Sequence, residues 1–494
     1  MDFCRNFPFI SIILSLLCVI ITFLLKGGAA KRLTVCLNIS CIILSLGTLA
    51  RNMMLGEFTF MMGHYPAPWG NEIRAGIIEP LYAAIFTAVL LLSVLAIREK
   101  RYIEGSKLNL FFVMTDLIQV SILALAYTND IFTAYVFIEI CTIASCSLLM
   151  IRGWGRTTVA ATRYMIFSLM GSAFFLIGVI LLYDVTGHLL IPNVSDAVAK
   201  LWLEGTYRLP LLITIGLIVT GLGIKSGMFP FFFWMPDTYG YASPDAAAIL
   251  SGVVSKVYIL LLVKVIYSVI GREIFFATGI QYLLLVFGIC GMMIGSVLAM
   301  REKQLDRMIA YSSAAQIGYV YMGIGMGEIG MTAAMLHIIA HTVTKPLLFL
   351  TMAKLSNMSN GSRKFTDLAG AGYRAPVSGV CFTVGALSMV GVPGLIGFSS
   401  KLYFASAALS TDMRVMIPVL LALAVSTLLN AAYYLRAVIT LYSKGGDPRP
   451  LPDTAPKERP VFLLSIICLA VMIIVLGIFP GWIAELIRQG LSVL

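Results

Sequence analysis

Charge is scarce in this sequence. Of its 494 residues only 12% are Asp, Glu, Lys or Arg, while 59% are hydrophobic. Typical soluble domains carry about 25% charge, so a soluble globular protein of this size is excluded for want of polar surface. Histidine is rarer still, with four in the whole chain. The nine cysteines form no CxxC pair and lie mostly inside apolar runs. They read as small buried apolar residues, so no metal or iron–sulfur site is expected in them. No nucleotide fingerprint is present either, and no redox cofactor is expected. The formal net charge is +11, yet the basic residues gather into no patch, which argues against nucleic acid as a partner. No small-residue cleavage site follows the apolar stretch 9–25, so it is read as a first span and not as a leader.

What the sequence has instead is a succession of apolar runs of about 20 residues, each long enough to cross a bilayer. Fourteen spans are predicted, near 7–26, 31–51, 75–97, 109–127, 131–151, 160–183, 209–228, 243–270, 279–300, 308–326, 329–353, 376–409, 413–442 and 461–484. The expected fold class is an all-α polytopic membrane protein without a separate soluble domain. Loops after odd-numbered spans hold 21 Lys and Arg residues, against 8 on the opposite side and 6 inside spans. Cytoplasmic loops carry the excess of Lys and Arg. The loops at 98–107, 152–163, 301–307, 354–374 and 444–460 are therefore expected in the cytoplasm. Both termini then fall on the outer side of a cell inner or plasma membrane. The largest outer loops are 52–74 and 184–208. The Pro-rich 444–460 is a connection before the last span. With the sequence ending at Leu494, no lateral helix is expected after it.

Spans 4–8 and 9–13 each hold five helices with a broken fourth: KSGMFPFFFWMP in span 7 and GVPGLIGFSSK in span 12. Five is odd, so the second group enters the membrane from the opposite side, as in the inverted repeats of transporters. The expected organisation is an N-terminal three-helix segment at 1–108, a first repeat at 109–270, a second at 271–442, and a connection with the last helix at 443–494.

A sparse polar row runs through this apolar body. Glu139 lies mid-way along span 5, Lys225 in the broken span 7 and Lys256 in span 8. His337, His341 and Lys345 follow at i, i+4 and i+8 in span 11, and Lys401 follows the break of span 12. A Lys at mid-membrane costs about 2.5–3.5 kcal/mol on insertion scales and by default marks a functional site. The chemistry fits proton transfer. A desolvated Lys loses its proton more readily, and a nearby carboxylate reverses that. A neutral His accepts on one nitrogen and donates from the other. Each residue also has a plainer reading. Glu139 could be a static ion-pair partner, and Lys225 and Lys401 could snorkel to the interface. Lys264, Lys345 and Asp116 are weaker candidates, open to snorkelling or structural pairing. Asp306 and Arg307 are read as a structural pair. His337 and His341 could bind a metal, but HIIAH lacks the HExxH glutamate.

At these residues the chain resembles the antiporter-like subunit family shared by respiratory complex I, membrane-bound hydrogenases and Mrp-type cation/proton antiporters. The resembling pieces are YVFIEI, GIKSGMFPFFFWMPDTYGYASPDAAAILSGVVSKVYIL, DRMIAYSSAAQIGY, HIIAHTVTKPLLFL and VGVPGLIGFSSKLY. The resemblance implies a 14-helix fold with two inverted five-helix repeats. It implies proton-path roles for Glu139, Lys225, Lys256, His337, His341 and Lys401. The FPFFFWMP segment is most similar to the Mrp D-subunit branch. Phe232 and Tyr239 stand where many complex I members carry histidine.

The function expected is a proton-translocating membrane subunit of a larger respiratory or hydrogenase-type complex. Protons would pass through two half-channels joined by the central Lys/His/Glu row. The chain would have no redox site of its own, so any driving reaction would belong to partner subunits, further antiporter-like subunits among them. One alternative is a subunit of a stand-alone Na+/H+ antiporter, with sodium as the second ion. Another is a structural subunit with a vestigial channel. Some family members carry Glu at the place of Lys401, so Lys401→Glu is expected to keep more activity than Lys401→Ala.

Overall fold

The computed structural model describes residues 3–62, 65, 70–97, 107–153, 155–443 and 459–494. Nearly all of it is helical. After a short turn at Phe3–Asn6, α1 (Phe7–Leu24) and α2 (Gly28–Leu55) form a hairpin. The expected outer loop 52–74 contains a small antiparallel sheet, β1 (Phe58–Met61) and β2 (Glu72–Ala75), with Phe58 opposite Ala75. Then come α3 (Ile78–Ala96), α4 (Leu108–Tyr127), α5 (Ile131–Met150) and α6 (Gly155–Thr186). The expected outer loop 184–208 is mostly a helix, α7 (Ile191–Glu204), which lays Ile191, Val194 and Val198 on the bundle at helical spacing.

Span 7 is α8 (Arg208–Ser226), a break, a turn at Phe231–Trp234, and α9 (Met235–Tyr241). Span 8 is α10 (Pro244–Ile249), a wide π turn at Leu250–Val254, α11 (Ser255–Lys264), a second π turn at Val265–Gly271, and α12 (Arg272–Ala277). α13 (Ile280–Arg301), α14 (Leu305–Gly325) and α15 (Glu328–Asn357) follow. After the short α16 (Ala371–Arg374), span 12 is split into α17 (Pro376–Val390) and α18 (Ile396–Leu409). The chain ends with α19 (Met413–Tyr442), α20 (Pro460–Ile478) and α21 (Pro480–Ser492).

Twelve stretches among the described residues are long and apolar enough to cross a bilayer. The other two expected spans are also helical. α14 is 21 residues long, but its serines, tyrosines and Gln316 make it more polar than its neighbours. Span 12 is two half-helices of 15 and 14 residues. The protein is therefore an all-α polytopic membrane protein. The last span ends earlier than 484, because Pro480 cannot continue α20 and starts α21 instead. The expected loops at 98–107 and 444–460 fall almost wholly outside the described residues.

α15 and span 8 form the interior of the bundle: the apolar part of each is 100% buried, against 28% for the peripheral α19. Close approach of backbones sets the packing. A Cβ on Gly295 of α13 would lie 2.8 Å from the Ala315 nitrogen of α14. One on Gly252, in the π turn, would lie 2.5 Å from Cγ of Pro346 in α15. Without a hydrophobic drive between helices in lipid, such small-residue contacts are what holds spans together.

The two broken spans end their first halves in the same way. Gly227 (φ +82°) follows α8 and Gly391 (φ +96°) follows α17. Met228 N–H donates to Gly223 O at 2.9 Å, and Val392 N–H donates to Leu387 O at 3.1 Å. Each is a Schellman stop, in which glycine takes the left-handed position and the backbone folds back to satisfy two carbonyls. The last two carbonyls of each helix keep no backbone partner of this kind.

Candidate functional site

The site starts where α6 and α8 touch. A Cβ on Gly171 would lie 2.9 Å from Gly221 O and 3.0 Å from Lys225 Cγ. Glycine there lets the stem of Lys225 pass inward towards α5. Its ammonium lies 3.6 Å from Glu139 Oε1 and donates to Thr142 Oγ1 at 2.8 Å. Ser172 Oγ donates to the Glu139 carboxylate. The Lys225 side chain is fully buried and that of Glu139 is 23% exposed, so Lys225 does not snorkel. The two residues are far apart in sequence and meet only because α5, α6 and α8 pack as a triple. Tyr258 presents its ring to the ammonium, with the centroid at 5.7 Å.

Lys256 is buried at the start of α11 and donates to Ser251 O in the π turn. Such turns are frequent at functional sites. Neither π turn of span 8 was expected from the sequence.

α15 carries the next three groups. His337 has Nδ1 at 2.9 Å from Ser400 Oγ and Nε2 at 3.0 Å from Gln316 Oε1. Both nitrogens are thus engaged by neighbours, which removes His337 as a free metal ligand. His341 stacks parallel to it, with ring centroids 6.5 Å apart. Both nitrogens of His341 are buried without a hydrogen-bond partner among the described residues. Lys345 differs from the other lysines. Its three N–H groups all find acceptors: Ile309 O at 3.0 Å, Ser312 Oγ at 2.8 Å and Tyr434 OH at 3.2 Å. That is a complete cage for an ammonium. It ties α14, α15 and α19 together, so structural pairing describes Lys345 and snorkelling does not.

Lys401 lies on α18 beside the break. Its ammonium donates to Met389 O at 3.0 Å and to Val390 O at 2.9 Å. These are the two carbonyls that the Schellman stop at Gly391 leaves over. A cation at a helix C-terminus is also favoured by the helix dipole. Tyr319 covers the ammonium, with its ring centroid at 5.4 Å, and the same ring stacks on His337 at 5.3 Å. Lys401 and His337 are therefore joined through Tyr319 and through Ser400, its neighbour in sequence.

The remaining candidates lie elsewhere. Asp116 is buried between α1, α2 and α4, accepting from Thr22 at 2.7 Å and Thr34 at 3.1 Å, outside the row. Lys264 sits at the other end of α11, also buried, and does not snorkel. Asp306 and Arg307 do not pair with each other through their side chains. Asp306 takes Arg363 at 2.6 Å, while Arg307 takes Asp237 at 2.9 Å and Glu302 at 3.1 Å. Successive residues on a helix point in different directions, which is why adjacency misled here. Phe232 stacks on Phe233 and meets Phe229, while Tyr239 packs edge-on against Trp234 and Phe349, so aromatic packing stands where a histidine relay would be.

Sequence reasoning missed the neutral partners Thr142, Ser172, Gln316, Tyr319 and Ser400. Only Thr142 had a signal, lying one turn from Glu139 on the same face. It also missed Glu79, a buried carboxylate in the first turn of α3.

A profile of the NADH:quinone oxidoreductase/Mrp antiporter transmembrane family matches residues 128–429, well over half of the chain and all of the row just described. The chain belongs to this family. It is an antiporter-like membrane subunit of the complex I type. It is 32% identical over 460 residues to NADH-quinone oxidoreductase subunit N of Desulforudis audaxviator, covering 89% of each chain. Among solved structures, it superposes on a chain of the archaeal membrane-bound sulfane sulfur reductase with a TM-score of 0.88 at 24% identity, covering 98% of this chain and 97% of that one. It superposes on a chain of the Mrp complex from Dietzia sp. DQ12-45-1b with a TM-score of 0.84 at 20% identity, covering 100% and 97%. At these identities the structural likenesses speak for the fold.

Proposed function

We propose that this subunit carries protons across the membrane along Glu139, Lys225, Lys256, His341, His337 and Lys401. The observation that carries this reading is the Glu139–Lys225 pair, 3.6 Å apart at the end of a broken helix, with Lys225 wholly buried. An ammonium with a carboxylate beside it keeps its proton; with the carboxylate moved away, burial favours releasing it. Thr142 and Ser172 hold the two members in register. Among the described residues neither nitrogen of His341 has a hydrogen-bond partner, and His337 links Gln316 to Ser400, so a proton taken at one nitrogen can leave from the other. Lys401 closes the row at the second helix break, and water fills the gaps between sites that do not touch.

The driving reaction belongs to partner membrane subunits of the same complex, as the names of the relatives suggest. The Lys and Arg count of 21 against 8 supports an orientation with both termini on the outer side of the inner or plasma membrane. The test is Glu139→Ala in the assembled complex. Coupled proton uptake into everted vesicles is expected to stop while assembly persists. Uptake at the normal rate in this variant would rule the role out. Measuring the same uptake with and without sodium separates a proton pump from a sodium/proton exchanger.

A further inference from the structure

A second group of buried charges lies at the end of the bundle that carries the β-hairpin. Lys264, in the last turn of α11, is 3% exposed, and Glu79 of α3 is 2% exposed. Lys264 Nζ donates to Ala126 O at 3.0 Å and Thr128 O at 2.6 Å, the carbonyls that end α4. It lies 4.0 Å from Glu79 Oε1. The same oxygen accepts from Arg74 Nη1 at 3.1 Å, and Glu79 Oε2 accepts from Gly76 N at 2.9 Å. Arg74 also pairs with Glu57, whose side chain is 46% exposed, and donates to Val493 O. The other titratable groups nearby are Glu72 of β2, held by Asn129 at 3.1 Å, and Tyr127 of α4, its hydroxyl 3.4 Å from Ser45.

Three features set this group apart from a static ion pair. First, Lys264 is bound as Lys401 is, with two N–H groups on the carbonyls of a helix end. A neutral amine still has two N–H groups, so Lys264 can lose its third proton and keep both bonds. Second, Glu79 stands between two cations, and each of them has other acceptors. The carboxylate can lean towards Arg74 or Lys264 without leaving either bare. Third, the charges form an unbroken series from a buried amine to the exposed Glu57. Lys264 is also two turns, about 12 Å, along the same helix from Lys256.

We propose that Glu79 and Lys264 form a proton gate at the hairpin end of the bundle, outward-facing in the orientation proposed above. The inference rests on the proton-transport reading. Lys264 is protonated from the Lys256 side. Its third N–H bond breaks as an O–H bond forms on Glu79, leaving a neutral amine and a neutral acid. Glu79 then gives the proton to Glu57 or to solvent, and Arg74 takes the carboxylate back.

The test uses the assembled complex and the pH–rate profile of proton uptake, with Lys401→Ala as control. Glu79→Gln keeps an acceptor for Gly76 but cannot take a proton. Transport is expected to fall about tenfold or more, as when a relay group is lost. The alkaline limb of the profile is expected to move to lower pH, because the ammonium has lost its carboxylate, and Glu79→Asp should restore both. Wild-type rates and an unchanged profile in Glu79→Gln, with Lys401→Ala inactive, would overturn the gate and leave the main reading standing. Wild-type rates in both variants would overturn that reading as well. A loss of rate that Glu79→Asp does not restore, with the profile unmoved, would assign a structural role and overturn the gate. If Glu79→Gln does not assemble, Lys264→Arg replaces it, because a guanidinium keeps the charge and its donors but releases no proton. Uptake is then expected to fall about tenfold or more. Wild-type uptake would overturn the gate, and failure of both variants to assemble would assign a structural role and overturn it as well.

Discussion

Lys401 offers the sharpest test of how this subunit handles charge. Its ammonium donates to Met389 O and Val390 O at 3.0 and 2.9 Å. A hydrogen bond from a charged donor contributes about 1.5–3 kcal/mol, so the two together favour a donor here by about 3–6 kcal/mol. A carboxylate in the same place would face two carbonyl oxygens with nothing to donate. This reverses the order expected from the sequence, in which glutamate was the better substitute. At the lower end, about 3 kcal/mol is roughly a hundredfold in rate. Lys401→Ala and Lys401→Glu are both expected to lose about that much proton uptake at neutral pH, with Lys401→Glu no better than Lys401→Ala. Lys401→Arg separates capping from proton transfer. A guanidinium caps the carbonyls but does not deprotonate, so this variant should assemble and still fail to transport. The assay is proton uptake in everted vesicles, with assembly followed separately. Wild-type transport in Lys401→Arg or Lys401→Ala would make Lys401 a passive helix cap. A Lys401→Glu variant that outperforms Lys401→Ala at neutral pH would refute the carbonyl argument.

Gly391→Ala should disturb the same site from the backbone: φ is +96° and the new Cβ would lie 3.0 Å from Lys401 Cδ. A cost of about 1–2 kcal/mol from the left-handed conformation is expected, read as a lower thermal unfolding temperature together with slower uptake. His337→Ala and His341→Ala should each slow transport, and stoichiometric metal in the purified protein would replace the relay reading with a metal site. For topology, single-cysteine labelling from outside should mark Asn193→Cys and miss Thr366→Cys, both at exposed positions; the reverse pattern would invert the orientation. Ser359, in the same cytoplasmic stretch, is unsuitable for that experiment because it is buried under Arg374, 3.0 Å away.

Much of the site is legible in the sequence by itself. Hydropathy sums along the chain, so apolar runs announce spans whatever their neighbours are. Gly and Pro punctuate locally, so both broken helices can be placed from GIKSGMFP and GVPGLIG. A charge in an apolar run is costly in any arrangement, so Glu139, Lys225, Lys256, the two histidines and Lys401 stand out as exceptions.

What each exception touches was decided by the tertiary structure alone. Lys345 and Lys401 look alike in sequence, each a lysine in an apolar helix. One sits in a cage of three acceptors that engages every N–H of its ammonium, and the other spends two N–H groups on the carbonyls of a helix end. Lys264 reads in sequence as a residue near a span end; the packing of α3, α4 and α11 puts Glu79 and two carbonyls around it. The first π turn of span 8 packs against α15, as at Gly252 and Pro346, and the second against α7; neither leaves a local signature. The physical reason is the same in each case. Composition fixes whether a charge is buried, because that depends on the run of residues around it. Protonation chemistry depends on donors and acceptors within a few ångströms, and those come from other helices.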